Sequence, residues 1–295
     1  PTRSRACATT GSVANDLRRS ETVRGDARTP MTEAEAPLLY SVADAVATIS
    51  FNRPDSLNAL LPEMGDALAA LVQRADADDD VRVIVLTGVG KAFSAGADLK
   101  LMGRADRLGR TALVGRERNR HGSSVVERLL ARDKPLIAAV NGVAAGMACA
   151  YVLAADFAIA ATSARMVFGF TKLGFVPDCG NTHLLPLRVG LANAQRIVLT
   201  AEPVDAASGL RLGLFTEVVD DAMLMERVGE VARTIAARAP HAIRLARMLL
   251  TRNVGVDFRQ ATEAEALAQG ILGETDDHKE AVRAFADKRA PASTG

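Results

Sequence analysis

Cysteine is scarce in this 295-residue chain, and the three present, Cys7, Cys149 and Cys179, are far apart with no CxxC spacing. Such a set excludes a disulfide scaffold and a zinc site and fits a reducing cytoplasm. Cys149 and Cys179 read as small core residues. An excess of charge is also missing: 36 Lys and Arg against 35 Asp and Glu leave a net charge of +1. Nothing draws such a chain to nucleic acid or to an anionic membrane surface, and there is no basic stripe for RNA. HExxH, P-loop and GxGxxG motifs are absent, so no metal, ATP or nicotinamide cofactor is indicated.

Long hydrophobic runs are few. Residues 135–155 carry no charge and are long enough to span a bilayer. Asn141, Gly142 and Gly146 interrupt the run, so it reads as a buried strand, a turn and a helix. Residues 1–36 have almost no large apolar groups and no apolar signal core, and mix arginines with acids, which argues against a secretory or transit signal. A disordered N-terminal extension is expected there, with the folded domain opening near Leu38.

What is present is an ordinary globular mixture, 48% hydrophobic and 24% charged. Residues 38–51 alternate loosely and predict a hairpin. Leu60, Met64, Leu68, Leu71 and Val72 have helical spacing. "VRVIVLTG" at 81–88, "PLIAAVNG" at 135–142 and "DFAIAAT" at 156–162 are apolar runs typical of strands buried on both faces. "AAGMACAYVLAA" between the last two reads as a helix. This order predicts an α/β core over 37–204. Four amphipathic helices follow, making 205–295 a C-terminal helical subdomain that completes the site or an oligomer interface.

Two strands feed turns built around glycine. After the first comes "KAFSAGADLKLM", where Gly96 permits a sharp reversal and Ala97 and Asp98 are expected to open a short helix. After the second comes "VAAGMACAY", where Gly146 does the same and Met147 opens a helix. Helix N-termini of this kind hold anions. Converging Ala97 and Met147 amides would hold a carbonyl oxygen as it becomes an enolate, each donor contributing about 3 kcal/mol. Near residue 178 a lone carboxylate closes the run "FTKLGFVPD". Asp178 either caps the helix that follows or serves as an acid and base.

The segments "ATISFNRPDSLNAL", "KAFSAGADLKLM", "KPLIAAVNGVAAGMACAYVLAADFAIA", "KLGFVPDCGNTHLLPLRVG" and "AASGLRLGLFTEVVDD" occur in an order that resembles the enoyl-CoA hydratase/isomerase (crotonase) superfamily. The resemblance covers 38–290. It implies a crotonase-like spiral of ββα units with a helical tail, a homotrimer or dimer of trimers, and an acyl-CoA thioester substrate in which coenzyme A is part of the substrate. The oxyanion donors would be Ala97 and Met147. Ser56, Leu57, Ala95, Gly96, Asp98 and Leu99 would line the CoA path. Met147, Ala150, Phe170, Phe175 and Pro177 would line the acyl side, and Phe285 and Lys288 would reach CoA from a neighbouring chain. Residues 101–130 would shape the acyl end.

The resemblance also carries a departure. The two glutamates of the family's hydratases fall on Ala150 and Phe170, neither of which moves a proton. Asp178 matches the pattern of phenylacetate-pathway isomerases. A double-bond shift needs one group to remove a proton from one carbon and return it to another, and Asp178, dried by Phe170 and Phe175, would do both. Asp98 and Asp156 read as structural, and His183 as a surface or packing residue. The expected function is therefore an acyl-CoA isomerase, with an enoyl-CoA hydratase and a non-catalytic acyl-CoA binder as the alternatives.

Overall fold

The computed structural model describes residues 36–101 and 112–293. Positions 1–35 of the expected extension, and 102–111 of the segment expected to shape the acyl end, lie outside the described residues.

The expected hairpin is formed by β1 (Leu38–Ala43) and β2 (Val46–Phe51). Asp44 and Ala45 close it with φ of 51° and 61°, the positive pair that a two-residue hairpin turn needs. Along β2, Ala47, Ile49 and Phe51 are buried, which is the period-two alternation of a strand with one face on the core. β2 pairs in parallel with β3 (Val83–Gly88), all six residues of which are buried. The helix α1 (Pro62–Ala77) buries Met64, Leu68 and Val72 on one side. Leu60, expected on that helix, lies ahead of it and has a different task described below.

Three strand pairs follow: β3 with β4 (Ala92–Ser94), β5 (Leu136–Val140) with β6 (Val143–Ala145), and β7 (Phe157–Ala161) with β8 (Arg165–Val167). Each pair gives its first strand to a six-stranded sheet, in which β10 (Glu217–Val219) takes the far edge beyond β7, and its second strand to a four-stranded sheet. The order is β1-β2-β3-β5-β7-β10 in one sheet and β4-β6-β8-β9 in the other, where β9 is Val204–Asp205. The chain thus advances one strand along both sheets per unit, which is a spiral. Helices fill the returns: α2 (Ala112–Ala131), α3 (Met147–Leu153), α4 (Asn181–Val189) and α5 (Leu191–Thr200).

The uncharged run at 135–155 resolves into β5, a turn, β6 and α3. Its helix is shorter than expected because residues 143–145 are drawn into the small sheet. Among the described residues no helix is long and apolar enough to cross a membrane.

After α6 (Ala206–Leu212) and β10, the chain continues through α7 (Leu224–Ala236), α8 (Pro240–Arg252), α9 (Phe258–Gly273) and α10 (Asp276–Ala286). α7 buries Leu224, Val228 and Ala232, whereas no residue of α8 is buried. A polar clamp fastens α8. Arg247 Nε donates to Asp156 Oδ1 at 2.9 Å, and Arg132, almost wholly buried, pairs with the same carboxylate. Asp156 Oδ2 also accepts the Leu136 N–H at 2.8 Å, which fixes the start of β5. Burial lowers the Arg132 pKa to about 10 against the opposing pull of Asp156. Removing one partner of a buried pair strands the other, at about 3 kcal/mol. Asp156→Ala should therefore lower the urea unfolding free energy by about 3 kcal/mol. A loss below about 1 kcal/mol would show that the clamp is dispensable.

Candidate active site

The site grows out of the small sheet. β4 and β6 are parallel neighbours, with Ala92 opposite Val143 and Ser94 opposite Ala144. The turns leaving their C-terminal ends therefore adjoin. Gly96 has φ +80°, and a Cβ built on it would stand 2.4 Å from the Ala145 carbonyl oxygen, so only glycine permits this approach. Gly146, with φ 55° and ψ −124°, donates its N–H to the Val167 carbonyl at 2.9 Å, which anchors it to β8. Among the described residues, a Cβ at Gly146 would meet nothing within 4 Å.

The first turn differs from expectation. Ala97 does not open a helix; it forms a parallel bridge with Leu60, and the helical residues start at Leu99. The Gly96 carbonyl accepts the Leu60 N–H at 2.7 Å, and the Asp98 N–H donates to the Leu60 carbonyl at 3.1 Å. The Asp98 amide is thus engaged and is not an anion donor. Because successive N–H groups of extended backbone point to opposite sides, the Ala97 N–H is turned away from Leu60. Met147 opens α3 as expected, and an N–H at that position has no intrahelical acceptor.

Asn58, fully buried, holds the segment that carries Leu60. Its Nδ2 donates to the carbonyls of Ala92 at 2.7 Å and Val89 at 3.0 Å, while Oδ1 accepts the Arg53 N–H at 2.8 Å. Ala95 N donates to the Leu57 carbonyl at 2.8 Å. These bonds bring Ser56, Leu57, Ala95, Gly96, Ala97, Asp98 and Leu99 to one rim, with Ser56, Leu57 and Leu99 exposed and Gly96 buried. Asp98 is structural in its contacts: Oδ2 faces Arg53 at 3.3 Å and Oδ1 accepts the Lys100 N–H at 3.1 Å.

The Asp178 turn follows β8. Phe168 and Phe170 are buried, and Phe175 N donates to the Phe170 carbonyl at 3.0 Å. Phe175 is then 53% exposed and Val176 78% exposed. Gly174, with φ +73°, turns the chain outward, and Pro177, which is buried, returns it. Asp178 is half-buried, with Oδ1 buried. It does not cap α4 with its side chain, since the N-cap is Gly180; its main-chain carbonyl accepts the Asn181 N–H at 3.0 Å.

Three residues that the sequence did not single out tie the parts together. Asn181 is 0% exposed, and its Nδ2 donates to the carbonyls of Asp178 at 2.9 Å and Gly146 at 3.5 Å. Tyr151, one helical turn beyond Met147, is buried; burial pushes its phenol pKa up, and the neighbouring Cys179 and Asp178 push it further. On α2, a Cβ at Gly122 would lie 2.8 Å from Cys179 Sγ and 3.4 Å from Met147 Sδ, so the helix presses on both turns. Ala150 is fully buried in α3. Phe285 is 88% exposed and Lys288 is exposed. His183 is exposed.

A model of the enoyl-CoA hydratase/isomerase family matches residues 41–295. The chain belongs to that family. The 1,2-epoxyphenylacetyl-CoA isomerase of Escherichia coli (strain K12) is 35% identical, over 88% of this chain and 98% of its own length. The short-chain-enoyl-CoA hydratase of Clostridium acetobutylicum is also 35% identical, over 83% of this chain and 92% of its own. The crystal structure of the enoyl-CoA hydratase from Bacillus anthracis superposes with a TM-score of 0.83 at 31% identity, covering 88% of this chain and all of that one. The two-sheet spiral is thus the crotonase fold of this family.

Two outcomes follow from the site's packing. Gly96→Ala adds left-handed strain and drives the two turns apart, and should cost about 3 kcal/mol in chemical denaturation. An unchanged midpoint would show that the turns separate freely. Burial pushes the Cys149 thiol up to about 12, so its thiolate is scarce near neutral pH. In native protein at pH 8, peptide mass spectrometry should find Cys149 unalkylated by iodoacetamide, and in denaturant fully alkylated; rapid native labelling contradicts this burial.

Proposed function

We propose that this protein is an acyl-CoA isomerase that shifts a double bond, or rearranges an unsaturated or epoxy ring, through a thioester enolate. The observation that carries the reading is the Asn181 side chain, which joins the carbonyl of Asp178 to that of Gly146 and so sets the carboxylate-bearing turn beside the turn of Met147. The Ala97 and Met147 amides stabilise the enolate oxygen, each contributing about 3 kcal/mol to the transition state. The CoA portion supplies remote binding energy that positions the reacting carbons. Asp178 takes a proton from one carbon and returns it to another.

The two relatives carry different activities at equal identity, so their names do not separate isomerisation from hydration. The residue types favour isomerisation. Hydration needs one group to activate water and one to deliver a proton. The two positions where the resemblance expects glutamates hold Ala150 and Phe170, and Asp98 is committed to Arg53 and its own turn. One carboxylate suffices for a proton moved along the substrate. Assembly as a homotrimer or dimer of trimers is part of the proposal. It is supported by exposed apolar residues on the tail, among them Leu250, Phe258, Leu267, Ile271 and Phe285. Phe285 and Lys288 would then serve the CoA site of a neighbouring copy.

The test is mass-spectrometric turnover of a panel of enoyl-, dienoyl- and aryl-CoA thioesters. Wild type should yield double-bond or ring isomers. Asp178→Asn should still bind the thioester and lose on the order of 10²- to 10⁴-fold in turnover. Equal turnover by both proteins, or a hydroxyacyl-CoA as the main wild-type product, contradicts the reading.

A further inference from the structure

The Asn181 side chain is an unusual occupant of an interior position. It is 0% exposed at the first residue of α4, and its amide is used from one end only. The two N–H groups of Nδ2 meet two carbonyl oxygens, Asp178 at 2.9 Å and Gly146 at 3.5 Å, whereas buried Oδ1 has no hydrogen-bond partner among the described residues. Flipping the amide does not relieve this, because Oδ1 would then face both carbonyl oxygens.

What the donor end does is specific. The Gly146 carbonyl and the Met147 N–H belong to one peptide group, which is planar and trans. Holding the oxygen therefore fixes the direction of the N–H, and a hydrogen bond to the oxygen polarises the N–H as a donor. That carbonyl also accepts the Cys149 N–H at 3.1 Å within the first turn of α3, and the Asn181 side chain adds a second hold from another element. Gly146 is in a conformation that side chains disfavour, and among the described residues nothing lies within 4 Å of where a Cβ would stand. The second donor holds the Asp178 carbonyl, and with it the turn on which the carboxylate sits.

We propose that Asn181 is a positioning residue that aims the Met147 amide at the thioester oxygen and sets its distance from Asp178. This rests on the isomerase reading given above and adds a residue to it. It acts through two main-chain carbonyls and touches no substrate.

The test uses the full chain, with wild-type isomerase activity established first. Asn181→Ala removes both donors. Asn181→Asp keeps the shape and replaces the donors with acceptors. Both variants should hold KM for the acyl-CoA within about threefold while kcat falls tenfold or more, with the Asp variant the weaker. That split is the signature of an interaction that matters in the transition state. A second readout needs no turnover: the infrared carbonyl stretch of bound, saturated butyryl-CoA labelled with carbon-13 at the thioester. Its downshift on binding should be smaller in both variants than in wild type. Unchanged kcat together with an unchanged stretch overturns the proposal. So does loss of the native circular dichroism in both variants, which would assign Asn181 to stability. If wild type isomerises nothing, the functional reading fails, while the carbonyl stretch still decides whether Asn181 aims the Met147 amide.

Discussion

The close approach of Gly96 to the Ala145 carbonyl is the constraint on which the rest of the site depends. Two short parallel strands end side by side, and glycine lets the turns beyond them touch. The bridge between Leu60 and Ala97 turns the Ala97 N–H away from its neighbour, and α3 begins at Met147 with its amide uncommitted inside the helix. Every later piece is placed against this pair of turns. Asn58 holds the outer rim, α2 presses on Met147 and Cys179 through Gly122, and Asn181 connects the second turn to Asp178.

The centre of the large sheet was legible because its strands are buried on both faces. β3, β5 and β7 must be apolar at nearly every position, and the runs at 81–88, 135–142 and 156–162 show it directly. The tail helices were legible for the opposite reason: each keeps one polar face, so the apolar residues recur at helical spacing. The second strand of each unit was not legible. β4, β6 and β8 are three residues long, too short to display alternation, and only pairing with one another makes them strands. Gly96 and Gly146 announced their turns, since glycine after a buried strand has few other uses.

The site was legible in its residue types and less so in its contacts. Asp178 stood out because a carboxylate closes an apolar run. The exposure of Phe175 was hidden, because its local sequence is apolar and only the outward turn at Gly174 and the return at Pro177 decide where it points. Tyr151 and Asn181 carried no local signal. A tyrosine on an apolar helix reads as packing, and an asparagine after glycine reads as a turn residue. The nearness of Tyr151 to Asp178, and the reach of Asn181 to Gly146 across 35 residues of sequence, exist only in the folded chain. Leu60 was likewise assigned by spacing to α1, when its backbone is what turns Ala97.

The central claim is that one carboxylate moves a proton along a thioester whose oxygen is held by two amides, with no water added. The most direct measurement is wild-type turnover of a 3-enoyl-CoA in deuterated, oxygen-18-labelled water, followed by mass spectrometry. The account predicts a product with a migrated double bond and no oxygen-18. A hydroxyacyl-CoA product bearing oxygen-18 at a rate equal to or above double-bond migration would contradict it.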